Sequence, residues 1–287
     1  MRRPGESPLG FWLVMAPALL LSLICFGIPA LFMARMSLNG HEPMTAYVSG
    51  FTFEHYRRLL SDPLIARVIW NTARLALVAS ILTVVLAYAF ALLVWMRPAR
   101  WRFMFVGLAL LPMLISEIAI IFGWWTVFPK NGLLSYILVS TGVTNDKISL
   151  MYTEGAALVG LVYVTLPYCF FILLSVFDGI DRRTLEAASD LGAPPLTTFW
   201  EVILPQTRIG LFAAFAQAFI WTIGVYATPL ALGPDTLWTL GYLIQDQMMS
   251  KHHWPMAATL SMVLIVGVGG VIVVLRWLQP AQRSFHV

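Results

Sequence analysis

The chain is short of charge. Of its 287 residues, 18 are Lys or Arg and 14 are Asp or Glu, 11% together, whereas a soluble chain of this length carries roughly a quarter, or about 70. So few charges cannot cover a surface facing water. With 59% hydrophobic residues and a mean hydropathy of +0.80, the deficit excludes a soluble enzyme, a nucleic-acid binder and a disordered chain. Cysteine is scarce as well: Cys25 and Cys169 lie far apart in apolar stretches, which offers neither a disulfide framework nor metal-ligand spacing. Both read as small buried hydrophobes. The three lysines, Lys130, Lys147 and Lys251, neither follow a glycine-rich phosphate loop nor precede Ser or Thr, so the chain has no P-loop for ATP. Neither HExxH nor GxSxG occurs. His41, His55, His252, His253 and His286 fall in predicted loops, interfaces or the tail. His252 and His253 are adjacent and point in different directions on most backbones, which suits interfacial polar residues better than metal ligands. The net charge of +4 is scattered in ones and twos and forms no nucleic-acid patch.

Long charge-free windows are what the chain has instead. Phe11 to Ala34, Leu75 to Met96, Gly155 to Phe177, Ile209 to Pro234 and Trp254 to Leu275 contain no Asp, Glu, Lys or Arg, and Phe103 to Phe128 is broken only by Glu117. A helix needs about 20 apolar residues to cross a hydrocarbon core of ~30 Å, and lipid leaves backbone groups no partner outside a helix. The expected fold is therefore an all-α polytopic membrane protein with six transmembrane helices. The first window is too long for a signal-peptide core and reads as an uncleaved helix. With the N-terminus inside, Arg2, Arg3, Arg97, Arg100, Arg102, Arg182, Arg183, Arg208, Arg276 and Arg283 are cytoplasmic, ten against eight outside. Five of those eight, Arg35, Arg57, Arg58, Arg67 and Arg74, lie in or beside one connection. Both termini are thus placed in the cytoplasm.

Three parts follow: residues 1–69, with the first helix and an outer connection; a core, 70–278; and a cytoplasmic tail, 279–287. In the first connection Phe53, Tyr56, Leu59 and Leu60 have helical spacing and fit a short amphipathic helix on the outer membrane face or a packed loop. The connection from Pro129 to Glu154 has turn signals at Asn131-Gly132 and Gly142 and suits a short outer helix or re-entrant piece. The absence of an internal repeat weighs against a secondary carrier.

Residues 178–208 reverse the charge deficit, with Asp178, Asp181, Arg182, Arg183, Glu186, Asp190, Glu201 and Arg208. Asp181 suits an N-cap, and Arg182 and Arg183 sit i,i+4 and i,i+3 from Glu186. Gly192 can end that helix in a left-handed cap. Pro194 and Pro195 suit the start of a second helix, where Leu196, Phe199, Trp200 and Ile203 share an apolar face. Pro205 then precedes the next span. Ala187 and Ala188 would let another backbone approach, and the loop reads equally as a docking shape or as a solvated segment on lipid headgroups.

Glu186-Ala187-Ala188, three residues, Gly192, nine residues, then Val202-Ile203-Leu204-Pro205 resembles the EAA signature of the permease subunits of type I ABC importers. Val202 stands at the usual isoleucine, and Ile209 precedes Gly210 where many members have Pro-Gly. The resemblance extends over roughly Trp70 to Leu278. It implies a bacterial inner-membrane permease whose coupling loop, residues 178–206, docks into an ATPase subunit. Glu186 would be the polar anchor, Ala187 and Ala188 the close-packing surface, Gly192 the turn, and Leu204 and Pro205 the end of the motif. It also implies two ATP-binding cassette subunits, a second permease that is a paralogue or a copy of this chain, and a periplasmic solute-binding protein. No cofactor belongs to this chain, ATP-Mg being held by the ATPase partners.

The sequences FTFEHYRRLL and LPMLISEIAIIFGWW are most similar to the spermidine/putrescine-type permeases, a subgroup that also imports opines, aminophosphonates, thiamine and iron. Glu117, the one carboxylate inside a span, would cost several kcal/mol in lipid unless it faced a cavity or had a partner. It could attract an ammonium group, with Trp124, Trp125, Tyr163 and Tyr226 available for cation–π contact, or pair with a neighbouring helix. An ion-coupled carrier is the competing class, but it would show several ionisable groups within its spans.

Overall fold

A computed structural model describes residues 8–42 and 45–278. Expectations resting on Arg2, Arg3, Pro43, Arg283, His286 and the 279–287 tail lie outside the described residues.

In chain order the helices are α1 (Pro8–Ser22), α2 (Ile28–Met36), α3 (Glu54–Ser61), α4 (Pro63–Trp95), α5 (Ala99–Leu114), α6 (Glu117–Val127) and α7 (Leu133–Ser140). They continue with α8 (Glu154–Asp178), α9 (Arg182–Asp190), α10 (Pro195–Thr198), α11 (Leu204–Gly224), α12 (Ala227–Leu232), α13 (Leu240–Gln245) and α14 (Trp254–Leu278). Wide π-helical turns join α1 to α2, join α10 to α11, and follow α13. The chain divides into two compact units, residues 1–63 with 244–265, and residues 64–243 with 266–287.

Among the described residues five helical runs are long and apolar enough to span a bilayer: Met15–Met36, Pro63–Trp95, Glu154–Asp178, Pro195–Gly224 and Trp254–Trp277. The expected span over Phe103 to Phe128 is broken. It forms α5 and α6, bent by 102°, and counts as a sixth crossing only if the pair is taken as one. Pro112 lies inside the last turn of α5 and removes a backbone donor there. Ile115 and Ser116 are then extended (ψ 137° and 140°). Glu117 starts the next helix, where a carboxylate interacts favourably with the helix dipole. The window Ile209 to Pro234 is also interrupted: α11 ends at Gly224, Val225 is extended, and α12 is a separate short helix.

The larger unit is built around α4, α8 and α11. On α4 the buried residues Ala76, Ser80, Thr83, Ala87, Ala91 and Val94 recur every three or four positions. This stripe of mostly small side chains lets neighbouring helices approach closely. Polar side chains cross the contacts: the Thr83 and Thr165 hydroxyls lie 2.9 Å apart, as do those of Tyr88 and Thr207. Cys169 is buried and its thiol donates to the Ala214 carbonyl at 3.3 Å. Cys25 is not buried as expected. It lies in the first span, which has no buried residue in its apolar window, so its surroundings would have to come from lipid or another subunit.

In the smaller unit, residues 37–62 contain an isolated bridge between Gly40 and Val48 and the short helix α3. Its buried residue is His55, while Phe53 and Leu60 are exposed. The Pro129–Glu154 connection holds α7 as expected, and Gly142 closes it with a positive φ.

Candidate functional site: the charged loop and a carboxylate at a helix break

The loop after α8 folds largely as its local chemistry dictates. The Asp181 carboxylate accepts from the Arg183 N–H at 3.0 Å, capping α9. Gly192 takes φ +75° at the other end, a conformation in which any other residue is strained. The Ala193 N–H then donates back to the Ala188 carbonyl at 3.0 Å. The second helix differs from expectation. It opens at Pro195, and Pro205, which the sequence places just before the next span, falls within a helical run that continues from Pro195 to Gly224. A π-helical turn over Phe199–Ile203 carries it straight into the fifth span.

One side of this loop is fixed and the other is bare. Leu185, Phe199, Ile203 and Leu204 pack on the core. Phe177 stacks on Trp95 at 5.6 Å, Tyr88 meets Phe199 at 6.1 Å, and the Arg182 guanidinium lies 5.9 Å from the Trp95 ring. At the root, Arg102 of α5 pairs with Asp178, the last residue of α8. By contrast Glu186, Ala187, Gly192 and Pro205 are exposed and Ala188 is half-buried. Leu191 is 88% exposed, Leu196 69% and Trp200 58%. The apolar face expected over Leu196, Phe199, Trp200 and Ile203 is thus split, two side chains anchoring inward and two facing out.

The second candidate place lies where α6, α8 and α12 meet. Glu117 is half-buried, and its Oε1 accepts from the Thr228 hydroxyl at 2.6 Å. Ile121 and Trp124 lie four and seven residues on, so they share its helix face. That face packs against Ala156 of α8 and Leu232 of α12. The Trp124 ring meets Tyr163 of α8 edge-on, with centroids 5.5 Å apart. The Trp125 indole N–H donates to the Ala231 carbonyl at 3.1 Å. Gly160 allows the close approach: a Cβ there would lie 2.7 Å from Thr228 Cγ2 and 2.8 Å from Leu232 Cδ1.

Glu117 is therefore joined to α12, and Trp124 and Tyr163 are brought together, while Tyr226 stands 44% exposed just before α12. Thr228 escaped the sequence reading because its window looked like unbroken span. Its signal was the Tyr226-Ala227-Thr228-Pro229 segment, a proline in the first turn of a new helix. Among the described residues no cluster of three or more His, Cys, Asp or Glu could hold a metal ion.

These features define an all-α polytopic membrane protein with a charged helical loop between two of its spans. The chain belongs to the family described as binding-protein-dependent transport system inner membrane component, whose profile matches residues 101–284. It is a multi-pass inner-membrane ABC importer permease. It is 31% identical over 227 residues to the "Spermidine/putrescine transport system permease protein PotB" of Escherichia coli K12, covering 79% of this chain and 82% of that one. It is 29% identical over 239 residues to the protein of the same name from Haemophilus influenzae, covering 83% of each. A crystal structure of a bacterial ABC transporter importing alginate matches with TM-score 0.76, 16% identity and coverage of 94% and 96%. An inward-facing structure of the MetNI methionine ABC transporter matches with TM-score 0.59, 19% identity and coverage of 75% and 96%. At those identities the structures share the fold.

Proposed function

We propose that this permease carries a polyamine, of the spermidine or putrescine class, and is driven through residues 178–206 by separate ATPase subunits. The observation that carries the coupling part is the two-sided loop. The loop, whose first helix is capped by Asp181 and Gly192, is fastened to the core by Leu185 and Phe199 and presents Glu186, Ala187, Leu191 and Trp200 outward. A rigid body with an exposed contact face can transmit a push, whereas a flexible loop cannot. Glu186 supplies the polar anchor, Ala187 and Ala188 the close surface, Gly192 the turn, and Leu204 and Pro205 the continuation into α11. Two such subunits binding ATP-Mg, a paralogous second permease and a periplasmic binding protein complete the transporter.

The substrate reading rests on the relatives' printed names and on Glu117, Trp124, Tyr163 and Tyr226. A carboxylate at a break between half-helices, beside aromatic faces, suits a cationic amine. The test is co-purification and uptake. A tagged chain in native membranes should bring down an ATP-hydrolysing subunit, and proteoliposomes of that assembly with its binding protein should take up spermidine only when ATP is present. ATP-independent uptake by a chain that retains no ATPase would overturn the reading.

A further inference from the structure

Three histidines from separate segments meet in the smaller unit. The His41 ring, after α2, stacks on the His253 ring with centroids 3.8 Å apart and planes at 19°. The His55 ring, on α3, meets His253 edge-on at 5.0 Å. His55 is 5% exposed, and its Nε2 lies 3.0 Å from the Asn39 carbonyl. Beside it the buried Ser37 is tied twice, by the Tyr56 hydroxyl at 2.8 Å and by the Thr259 hydroxyl, which donates to its carbonyl at 3.4 Å. The first connection and the start of α14 are therefore held together around one imidazole.

That imidazole also caps a helix. His253 Nδ1 accepts the Met256 N–H at 3.2 Å, which requires Nδ1 to carry no proton. Protonation there would remove the acceptor and place a cation at a helix N-terminus, where the dipole is unfavourable. It would also charge a ring stacked on His41 and facing His55, with Arg58 of α3 contributing further repulsion. Arg58 itself pairs with Asp62 at 3.9 Å and Lys251 with Asp246 at 2.8 Å, while Glu42 follows His41 and Glu54 precedes His55 in the chain. Nδ1 of His41 is buried without a hydrogen-bond partner, so the cluster has an unsatisfied polar atom even when neutral.

We propose that His41, His55 and His253 form an acid-labile clasp that fastens residues 37–62 to the start of α14, closed while His253 is neutral and released when it takes up a proton. Burial, then His41, His55 and Arg58, push the His253 pKa down from 6.5 to about 4. The neutral ring is thus favoured in the closed form. The stability it confers is complete above the ordinary histidine range and is lost as pH falls from about 6.5 through about 4. The orientation expected from the arginines puts the clasp on the outer side, so external acid would reach it.

Amide hydrogen exchange on the full chain in lipid nanodiscs with its co-purifying subunits tests this. Protection is compared at about pH 7 and about pH 4.5 after correction for intrinsic exchange. Peptides covering 37–62 and 246–260 should lose about tenfold or more of their protection at the lower pH, while α8 peptides keep theirs. His253→Asn keeps a capping side chain that cannot titrate and should hold the same protection at both pH values. His253→Ala loses the cap and should be poorly protected at both. Equal protection of the wild-type segments at the two pH values would overturn the clasp. So would the same acid loss in His253→Asn, or full protection in His253→Ala. The wild-type comparison stands even if neither variant accumulates.

Discussion

The Thr228 hydroxyl donates to the Glu117 carboxylate across 2.6 Å, joining the first turn of α6 to the first turn of α12. Both helices follow breaks in longer apolar runs, so the pair sits where backbone regularity is interrupted. Thr228 is buried and Glu117 is half-exposed. The threonine thus orients the carboxylate while leaving part of it free. Glu117→Gln should weaken spermidine uptake about tenfold in apparent affinity, the scale of one charge-assisted contact. Thr228→Val should move it in the same direction by less. Concentration-dependent uptake at matched expression measures both, and an unchanged affinity in Glu117→Gln would assign the carboxylate to helix pairing alone.

Gly192→Asp separates folding from coupling. A Cβ at Gly192 meets nothing within 4 Å, so the change creates no clash within this chain. The φ of +75° costs a non-glycine residue about 1–2 kcal/mol, less for Asn and Asp. The chain should therefore accumulate normally in the membrane while uptake is abolished, because the new charge stands on the face proposed to meet the ATPase. Gly192→Asn has similar backbone tolerance without charge and should retain a substantial share of uptake. Immunoblots of membranes beside uptake assays check the pair.

The charged loop was largely readable from sequence because its determinants are local. Asp181, Gly192 and Pro195 act on backbone groups within a few residues of themselves, and each behaves as its chemistry requires. The π-helical turn over Phe199–Ile203, which runs the second helix into the span beyond Pro205, carries no such local signal. The spans were readable where composition alone decides. The breaks after Leu114 and Gly224 were not, since a charge-free window says nothing about dihedral angles. Glu117 and Thr228 stand 111 residues apart, and the clasp joins three histidines from three segments. Such pairings are set by helix packing, and no local pattern announces them.

Gly160 predicts a compensating pair. A Cβ there would overlap Thr228 Cγ2 at 2.7 Å and Leu232 Cδ1 at 2.8 Å, so Gly160→Ala forces the Thr228 and Leu232 side chains, or α12 with them, to give way. Overpacking of this kind costs about 1–3 kcal/mol. The variant should therefore melt several degrees lower in detergent. Thr228→Ser removes the methyl and keeps the hydroxyl that serves Glu117. In the Gly160→Ala background it should recover part of the melting temperature, and no recovery would place the strain elsewhere.

Arg102 and Asp178 should matter for coupling rather than for stability. They join α5 to the last residue of α8, three residues before the Asp181 cap of α9. Both side chains are partly exposed, 32% and 41%, and ion pairs of that exposure contribute about 0–1 kcal/mol. Arg102→Glu should leave membrane levels and melting temperature nearly unchanged. It sets two carboxylates against each other at the root of the loop, however, and lets α9 shift against the core. ATP hydrolysed per solute imported should rise in the reconstituted assembly. The reversed pair, Arg102→Glu with Asp178→Arg, restores opposite charges across the same gap and should bring the ratio back toward wild type. A double variant no better than the single one would show that the lever is held by Leu185, Phe199 and Trp95 without help from the ion pair.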